Sequence, residues 1–347
     1  MKKLHLALLL GVSLLALAQQ PKVVNSQFHT EPAGPGLSAT VTRFQHQTGP
    51  LWVGYEVPAL PGTHFSVCTG DAQPSGDDGC CGEYQLEDSD SGWHNGDAES
   101  GAVANIDILL RIDQGAIMKI RFVNAGCRLN AGGLPFTWLT DVSPEDSVAY
   151  LASLVTAGEK KHSDEALAAI AMHATPKATA VLDSLAGASS PLWLREKAAF
   201  WLGASRGHDG LLALEKLAHD SDPEFRKKLA FDISVNHDPA AIDDLIRMAK
   251  SDSDTGVREQ AIFWVAQKAG RKAIATLQDT VENDPEVAVK KRAVFALSQL
   301  PKDEAVPELL HVAQTNRDPE VRKDAIFWLG QTHDPRALEY FEQILER

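Results

Sequence analysis

The stretch DPEVRKDAIFWLGQTHDPRALEYFEQILER, residues 318–347, decides how most of the chain folds. Asp318 and Asp334 each precede a proline. Such a pair offers an N-cap side chain followed by a residue pre-set for the first helical position, so two short helices are predicted. Val321, Ala325, Trp328 and Leu329 fall on one face of the first, and Leu338, Phe341, Ile344 and Leu345 on one face of the second. One such pair cannot bury its own apolar stripe.

Upstream copies supply the cover. Phe327 recurs as Phe295, Phe263, Phe231 and Phe200, with Ala169 in the same register, a step of 31–32 residues that falls among the periods of helical repeat arrays. Five positions before these aromatics stand Arg322, Lys290, Arg258, Arg226 and Arg195, and eleven after them Leu338, Val306, Ile274, Ile242 and Leu211. Matched apolar positions of both helices should therefore be buried between stacked pairs. Each basic residue lies near a repeat's leading aspartate, so the column reads as a ladder of Arg–Asp pairs linking repeats in preference to a phosphate-binding stripe. On a helical wheel Phe327 lies between Lys323 and Asp324, away from Val321 and Trp328, which assigns the phenylalanine column to packing between repeats.

The pattern DP-x-V-R, a short apolar helix, glycine and a second Asp-Pro resembles the short HEAT-like repeats first named from phycobilisome lyases, over roughly residues 163–347. The resemblance implies an all-α solenoid whose second helices line an inner, concave surface. It is specific for architecture and nearly silent on chemistry. HEAT-like arrays in deoxyhypusine hydroxylase carry a di-iron centre on His-Glu pairs, and no His-Glu dipeptide occurs here. His208-Asp209, His237-Asp238 and His333-Asp334 superficially offer ligands, yet Asp238 and Asp334 precede prolines where an N-cap is expected. Bilin-lyase chemistry would need a chromophore in the compartment. No zincin motif or phosphate loop is present.

Residues 1–18 carry Lys2 and Lys3, an apolar run from Leu4 to Leu17 and a small-x-small site at Ala16-Leu17-Ala18. That is the pattern of a secretory signal peptide, with the mature chain starting at Gln19 and exported to the periplasm or the medium. Residues 19–36, with Pro21, Pro32 and Pro35, read as a loose linker. Residues 37–140 read as a small antiparallel β domain, a sandwich or barrel. Its candidate strands are Ser38–Phe44, Leu51–Val57 and Phe65–Cys68, and its hairpin joins Ala104–Ile112 to Ile117–Val123. Residues 141–347 then hold a capping helix, started by Ser143-Pro144-Glu145, and about six repeats. The predicted class is α+β multidomain.

Between Gly70 and Gly101 the chain is rich in Asp, Glu, Gly and Ser and cannot bury a core of its own. The four cysteines are Cys68, Cys80, Cys81 and Cys127. In an exported protein they should be oxidised. A bridge between the adjacent Cys80 and Cys81 would be strained, so Cys68 and Cys127 are each expected to bond one of them. The Cys-x-x-Cys spacing of a metal site is absent. Asp88, Asp90 and Glu99 partly copy a calcium loop, but Trp93 stands where such a loop needs glycine. A solvated acidic loop is the reading adopted, and no cofactor is assigned.

The net charge of −14 makes nucleic acid and anionic membranes poor partners. Thirteen residues after the phenylalanine register the second helices place Ala213, Asp244, Thr276, Glu308 and Tyr340, a column whose character varies. Asp244, Thr276, Glu308 and Tyr340 are therefore the expected partner face, with Tyr340 as the aromatic anchor. The expected role is an exported scaffold that binds a protein or peptide. The alternative is an enzyme or enzyme-associated regulator, of lyase or metal-dependent hydroxylase type by fold analogy, with its site in the β domain or at the domain junction.

Overall fold

A computed structural model of the chain describes residues 20–62, 65–69, 80, 82–88, 91–95, 104–156, 160–268 and 271–346. The expected leader, Gln19, Cys81, Asp90 and Glu99 lie outside these residues. The chain divides into two compact units, Met1–Ser147 and Val148–Arg347.

The first unit contains, in the described residues, strands β1 (Lys22–Val24), β2 (Phe28–Pro32), β3 (Leu51–Pro58), β4 (Phe65–Thr69), β5 (Glu83–Gln85), β6 (Ser91–Asn95), β7 (Asn105–Asp113), β8 (Ala116–Asn124), β9 (Arg128–Asn130) and β10 (Phe136–Thr140), with helix α1 (Leu37–Gln45) between β2 and β3. The main sheet runs β2-β10-β3-β7-β8. Its β3-β7-β8 part is antiparallel, as expected, and β7 and β8 form the predicted hairpin. The turn residues Gln114 and Gly115 both have positive φ, 49° and 79°, as a twisted two-residue hairpin requires.

Three sequence expectations change here. Strand β10 lies parallel to both β2 and β3, and β1-β9-β5 forms a second, all-parallel sheet, so the unit is mixed. Residues 19–36 are not a loose linker, because β1 and β2 pair with β9 and β10 more than 100 positions downstream. Both are short edge strands without a run of alternating apolar residues, which hides them from an apolar-alternation test. Ser38–Phe44 is helix, not strand. Its β-branched residues favour a strand locally, but buried Leu37, Val41 and Phe44 sit at helical spacing, and tertiary burial outweighs propensity.

Gly54 allows the core of the sheet to close, since a Cβ there would stand 2.8 Å from the Phe136 ring and 2.9 Å from Leu109. On the same side of the sheet Glu87 accepts from the Trp52 indole at 2.8 Å and from Arg111 Nε at 2.9 Å. Cys80 is disulfide-bonded to Cys127, with the Cα atoms 5.4 Å apart, which ties the acidic segment to the start of β9.

The units divide inside helix α2 (Pro144–Thr156), whose first turn is capped by Ser143 Oγ accepting from the Asp146 amide at 3.1 Å. Six helix pairs follow in the described residues: α3 (Ser163–Met172) with α4 (Pro176–Ala186), α5 (Leu192–Ser205) with α6 (Gly207–Leu217), α7 (Pro223–Ser234) with α8 (Ala241–Ser251), α9 (Thr255–Lys268) with α10 (Arg271–Asn283), α11 (Val287–Ser298) with α12 (Lys302–Thr315), and α13 (Pro319–Thr332) with α14 (Pro335–Leu345). Asp222, Asp318 and Asp334 cap α7, α13 and α14 through the amide two residues on. First helices pack closely on one another along the array, and second helices touch sparingly. The small-residue column Gly203, Ser234, Ala266 and Ser298 permits the close approach; a Cβ on Gly203 would run into the carbonyl of Asp232 on the next first helix. The aromatic column does link repeats. Phe200 stacks on Phe231 at 6.2 Å, and Phe231 and Phe295 meet Trp264 and Trp328, each at 5.0 Å.

The basic column forms the expected ladder, with a change of partner. Arg226 donates through Nε and Nη2 to both carboxylate oxygens of Asp252 at 2.9 and 2.8 Å, and Arg258 does the same to Asp284 at 2.8 and 3.1 Å. Arg195 pairs with Asp220 in the same manner of reach, one repeat to the next. Asp220 and Asp252 stand two residues ahead of the leading aspartates Asp222 and Asp254, which are occupied by helix capping, and Asp284 stands two residues ahead of Glu286, which makes no side-chain cap. The first junction instead uses Arg206, which donates to the carbonyls of Ala171, His173 and Thr175.

Arg226 and Asp252 are 9% and 8% exposed, so removing one partner strands a buried charge. Arg226→Ala is expected to cost about 3–5 kcal/mol, and the double change Arg226→Met with Asp252→Leu less than that; urea denaturation measures both. Leu309, fully buried on α12, should cost about 2–5 kcal/mol on change to Ala. Its half-exposed neighbour Glu308 should change stability by no more than about 0.5 kcal/mol on the same change, which thermal melts will compare.

Candidate functional site

The sparing contact between second helices leaves grooves between them. One, of about 360 Å³, lies between α6 and α8, with Glu215, Asp244, Arg247 and Met248 facing the Arg226–Asp252 rung. Another, of about 410 Å³, lies between α10 and α12 and is lined by Gln278, Asp279, Glu282, Glu308, His311 and Val312. Both have an apolar floor; the first is lined by charges of either sign, the second by acidic and neutral polar side chains with His311.

In the first groove Asp244 is 3% exposed, and its Oδ1 accepts from Arg247 Nη2 at 2.6 Å while Oδ2 has no hydrogen bond. Burial raises the Asp244 carboxyl to about 6; Arg247 pulls it back and the Glu215 charge pushes it up again. Arg247 itself extends outward, its side chain 60% exposed. Beneath them burial works against the charge of Asp252, but Arg226 and the Asp254 amide win and hold it below the ordinary carboxylate value. In the second groove Gln278 Nε2 donates to Glu308 Oε2 at 2.6 Å, and Lys250 pairs with Asp279 at 2.7 Å.

The variable column does not form one free face. Ala213, Asp244 and Thr276 are buried, whereas Glu308 and Tyr340 are half-buried, the latter with its ring 6.1 Å from that of Phe341. The next position along, Leu214, Leu245, Leu277 and Leu309, is fully buried. A solenoid helix is covered on both flanks, so its buried arc reaches one residue further than a single amphipathic stripe suggests. Sequence columns missed Glu215 and Arg247; the i,i+3 spacing of Asp244 and Arg247 was the readable signal.

The His-Asp dipeptides do not converge. His208 Nδ1 lies 2.8 Å from Asp238 Oδ2, an aspartate from a different dipeptide. The Ala240 amide, then His208, hold the Asp238 carboxyl below its ordinary value. Asp334 caps α14 and is drawn down to about 2 by Arg336. Among the described residues no three His, Cys, Asp or Glu side chains could share a metal. The carbonyl of Asp88, from the partial calcium pattern, accepts from Lys119 and Arg121. Gly203-Ala204-Ser205-Arg206-Gly207 has the letters of a hydrolase nucleophile elbow, but it joins two helices, whereas an elbow needs a strand-to-helix turn.

The first unit holds one unusual acidic pair. Glu56 on β3 lies directly across from Asp107 on β7. Asp107 is buried with neither carboxylate oxygen hydrogen-bonded. Desolvation, then the Glu56 charge, pushes its carboxyl well above the ordinary value.

Residues 274–347 match the sequence family described as HEAT repeats. The matched segment carries HEAT repeats, and the second unit has the fold of a HEAT-like solenoid that follows an N-terminal β region. No curated protein matches it in sequence. Among solved structures, the complex of CpcE and CpcF of phycocyanin lyase from Nostoc sp. PCC7120 is 21% identical, covering 44% of this chain and 99% of that one, with a TM-score of 0.34. Human deoxyhypusine hydroxylase in complex with glycerol is 16% identical over 58% of this chain and 90% of its own, TM-score 0.33. YibA of Escherichia coli is 21% identical over 45% and 60%, TM-score 0.33. At these scores the likenesses bear on neither substrate nor partner.

The raised Asp244 carboxyl gives a pH signature. Its folded value of about 6 lies above the ordinary 3.8, so its stabilising proton is fully held below the lower value and lost as pH rises through the upper. Asp244→Asn, which keeps the shape without the charge, should gain stability over the wild type as pH climbs from about 4 to 7. Melting temperatures of both proteins across that range check the sign.

Proposed function

We propose that the array binds a protein or peptide partner along the grooves between its second helices. The observation that carries this reading is the pairing of two grooves on that side, each with an apolar floor and polar groups that reach outward, Arg247 in one and Glu308 with His311 in the other. Side chains of both signs at such a surface select a partner by charge complementarity more than by raw affinity. Tyr340, half-buried on the last second helix, extends the same line of contact. The protein acts after export, with its leader removed before Gln19, so its partner is sought in the exported fraction. Nucleic acid and membrane are not its targets.

A second reading places acid–base chemistry in the β unit, in an enzyme or enzyme-associated regulator. The Glu56–Asp107 pair favours it, because like carboxyls driven apart in proton affinity are what general acid–base chemistry uses.

The test is affinity capture from the exported fraction with the intact mature chain, followed by binding measurements on variants. Arg247→Glu, Glu308→Arg and Tyr340→Ala are expected to weaken the captured partner, with at least one of them doing so about tenfold. Unchanged binding in all three, with the helical signal intact, moves the role to the β unit. Asp107→Asn is then the variant to assay.

A further inference from the structure

The outer side of the last repeat is dressed as the inside of the array. Positions that are buried or part-buried in earlier repeats lie more open on α13 and α14. Val306 and Leu211 are at most 1% exposed and Ile242 and Ile274 part-buried, whereas their counterpart Leu338 is 59% exposed. Ala199, Ala230, Ile262 and Val294 are fully buried, while the matching Ile326 is half-exposed. Leu345, on the same side of α14 as Leu338, is 86% exposed. The expectation that every matched apolar position is covered therefore fails at this end. A cleft of about 430 Å³ lined by Leu329, Gly330, His333, Leu338 and Phe341 marks the surface.

Two further features of an internal junction are kept here. Gly330 stands in the register of Gly203, the residue that lets the next first helix approach, yet nothing lies within 4 Å of a Cβ built on it. Arg322 stands in the register of the ladder arginines. Its Nη1 holds the carbonyls of Asn316 and Arg317 at 2.8 and 3.0 Å, as Arg226 and Arg258 hold theirs. Its Nε and Nη2 edge, which takes a carboxylate in Arg226 and Arg258, has no carboxylate among the described residues. The outer face of α13 and α14 thus keeps apolar side chains, a close-approach glycine and a guanidinium edge with no carboxylate among the described residues.

We propose that a second copy of this chain covers this face, the two last repeats packing across a two-fold axis with Arg322 of each copy meeting Glu342 of the other. A two-fold interface must complement itself, and this face carries its own counter-charge. Glu342 is exposed one turn after Leu338 and has no ion-pair partner among the described residues. With a net charge of −14, contact between copies is repelled on most surfaces. The open edge of the Arg322 guanidinium, met by a carboxylate twice over, offsets that repulsion at this one place.

Sedimentation equilibrium of the purified protein tests the pairing. The wild type is expected at the mass of two copies in the micromolar range, and Leu338→Asp at the mass of one with its helical circular dichroism unchanged. Arg322→Glu and Glu342→Arg should each weaken the dimer at least about tenfold, and combining them should restore it. A wild type that stays monomeric overturns the proposal, whether or not another helical protein occupies the face. So does a dimer indifferent to Leu338→Asp, or a double charge variant as weak as the single ones.

Discussion

A guanidinium withdrawn from water must be met by a carboxylate with good geometry, or the fold bears an uncompensated charge. In this array that demand is placed at successive junctions, and Asp220 and Asp252 each answer it in three ways. The Asp252 carboxylate takes Arg226 from the repeat before, the same carboxylate accepts the Asp254 amide, and the Asp252 carbonyl takes Arg258 from its own repeat. Shifting one repeat by a turn would leave a buried arginine, a buried aspartate and an amide unsatisfied together. The rungs therefore act on register more than on net stability, since buried ion pairs return little beyond the cost of their desolvation. The grooves depend on this register: the Arg226–Asp252 rung forms one side of the cleft in which Asp244 and Arg247 stand.

How much of this could be read from the sequence follows from the range of the interactions. The helix pairs were legible because their signals are local, with an Asp-Pro cap, an apolar stripe and a period of 31–32. The β7–β8 hairpin was legible for the same reason, through Gln114-Gly115. Strands β1 and β2 were not, because their partners Leu129 and Trp138 lie more than 100 residues away and edge position removes the alternation that a buried strand shows. Helix α1 was misread because Thr40, Val41 and Thr42 outvote its three-point apolar stripe in any local count.

The candidate site was half legible. Column counting located the right helices and named Glu308, which lines a groove, but it treated Asp244 and Thr276 as surface when neighbouring helices cover them. The ladder was foreseen as a type of contact and misassigned by two residues, because a leading aspartate already engaged as an N-cap cannot also serve the arginine. In the β unit the buried Asp107 gave no signal, since an acid in an apolar run looks like an outward residue until both sides of the sheet are known to be covered.

One rung differs from the others. At the fifth junction the acceptor column holds Asn316 in place of aspartate, its Nδ2 donating to the Val281 carbonyl at 3.1 Å, and Lys290 turns away to the Glu282 carbonyl at 2.9 Å. An amide has no proton to gain in acid and no charge for salt to screen. The carboxylate rungs before it have both. Acidification should thus loosen the middle of the array while the last two repeats remain locked, so that the protein comes apart in two steps, with the line between them drawn at a single residue.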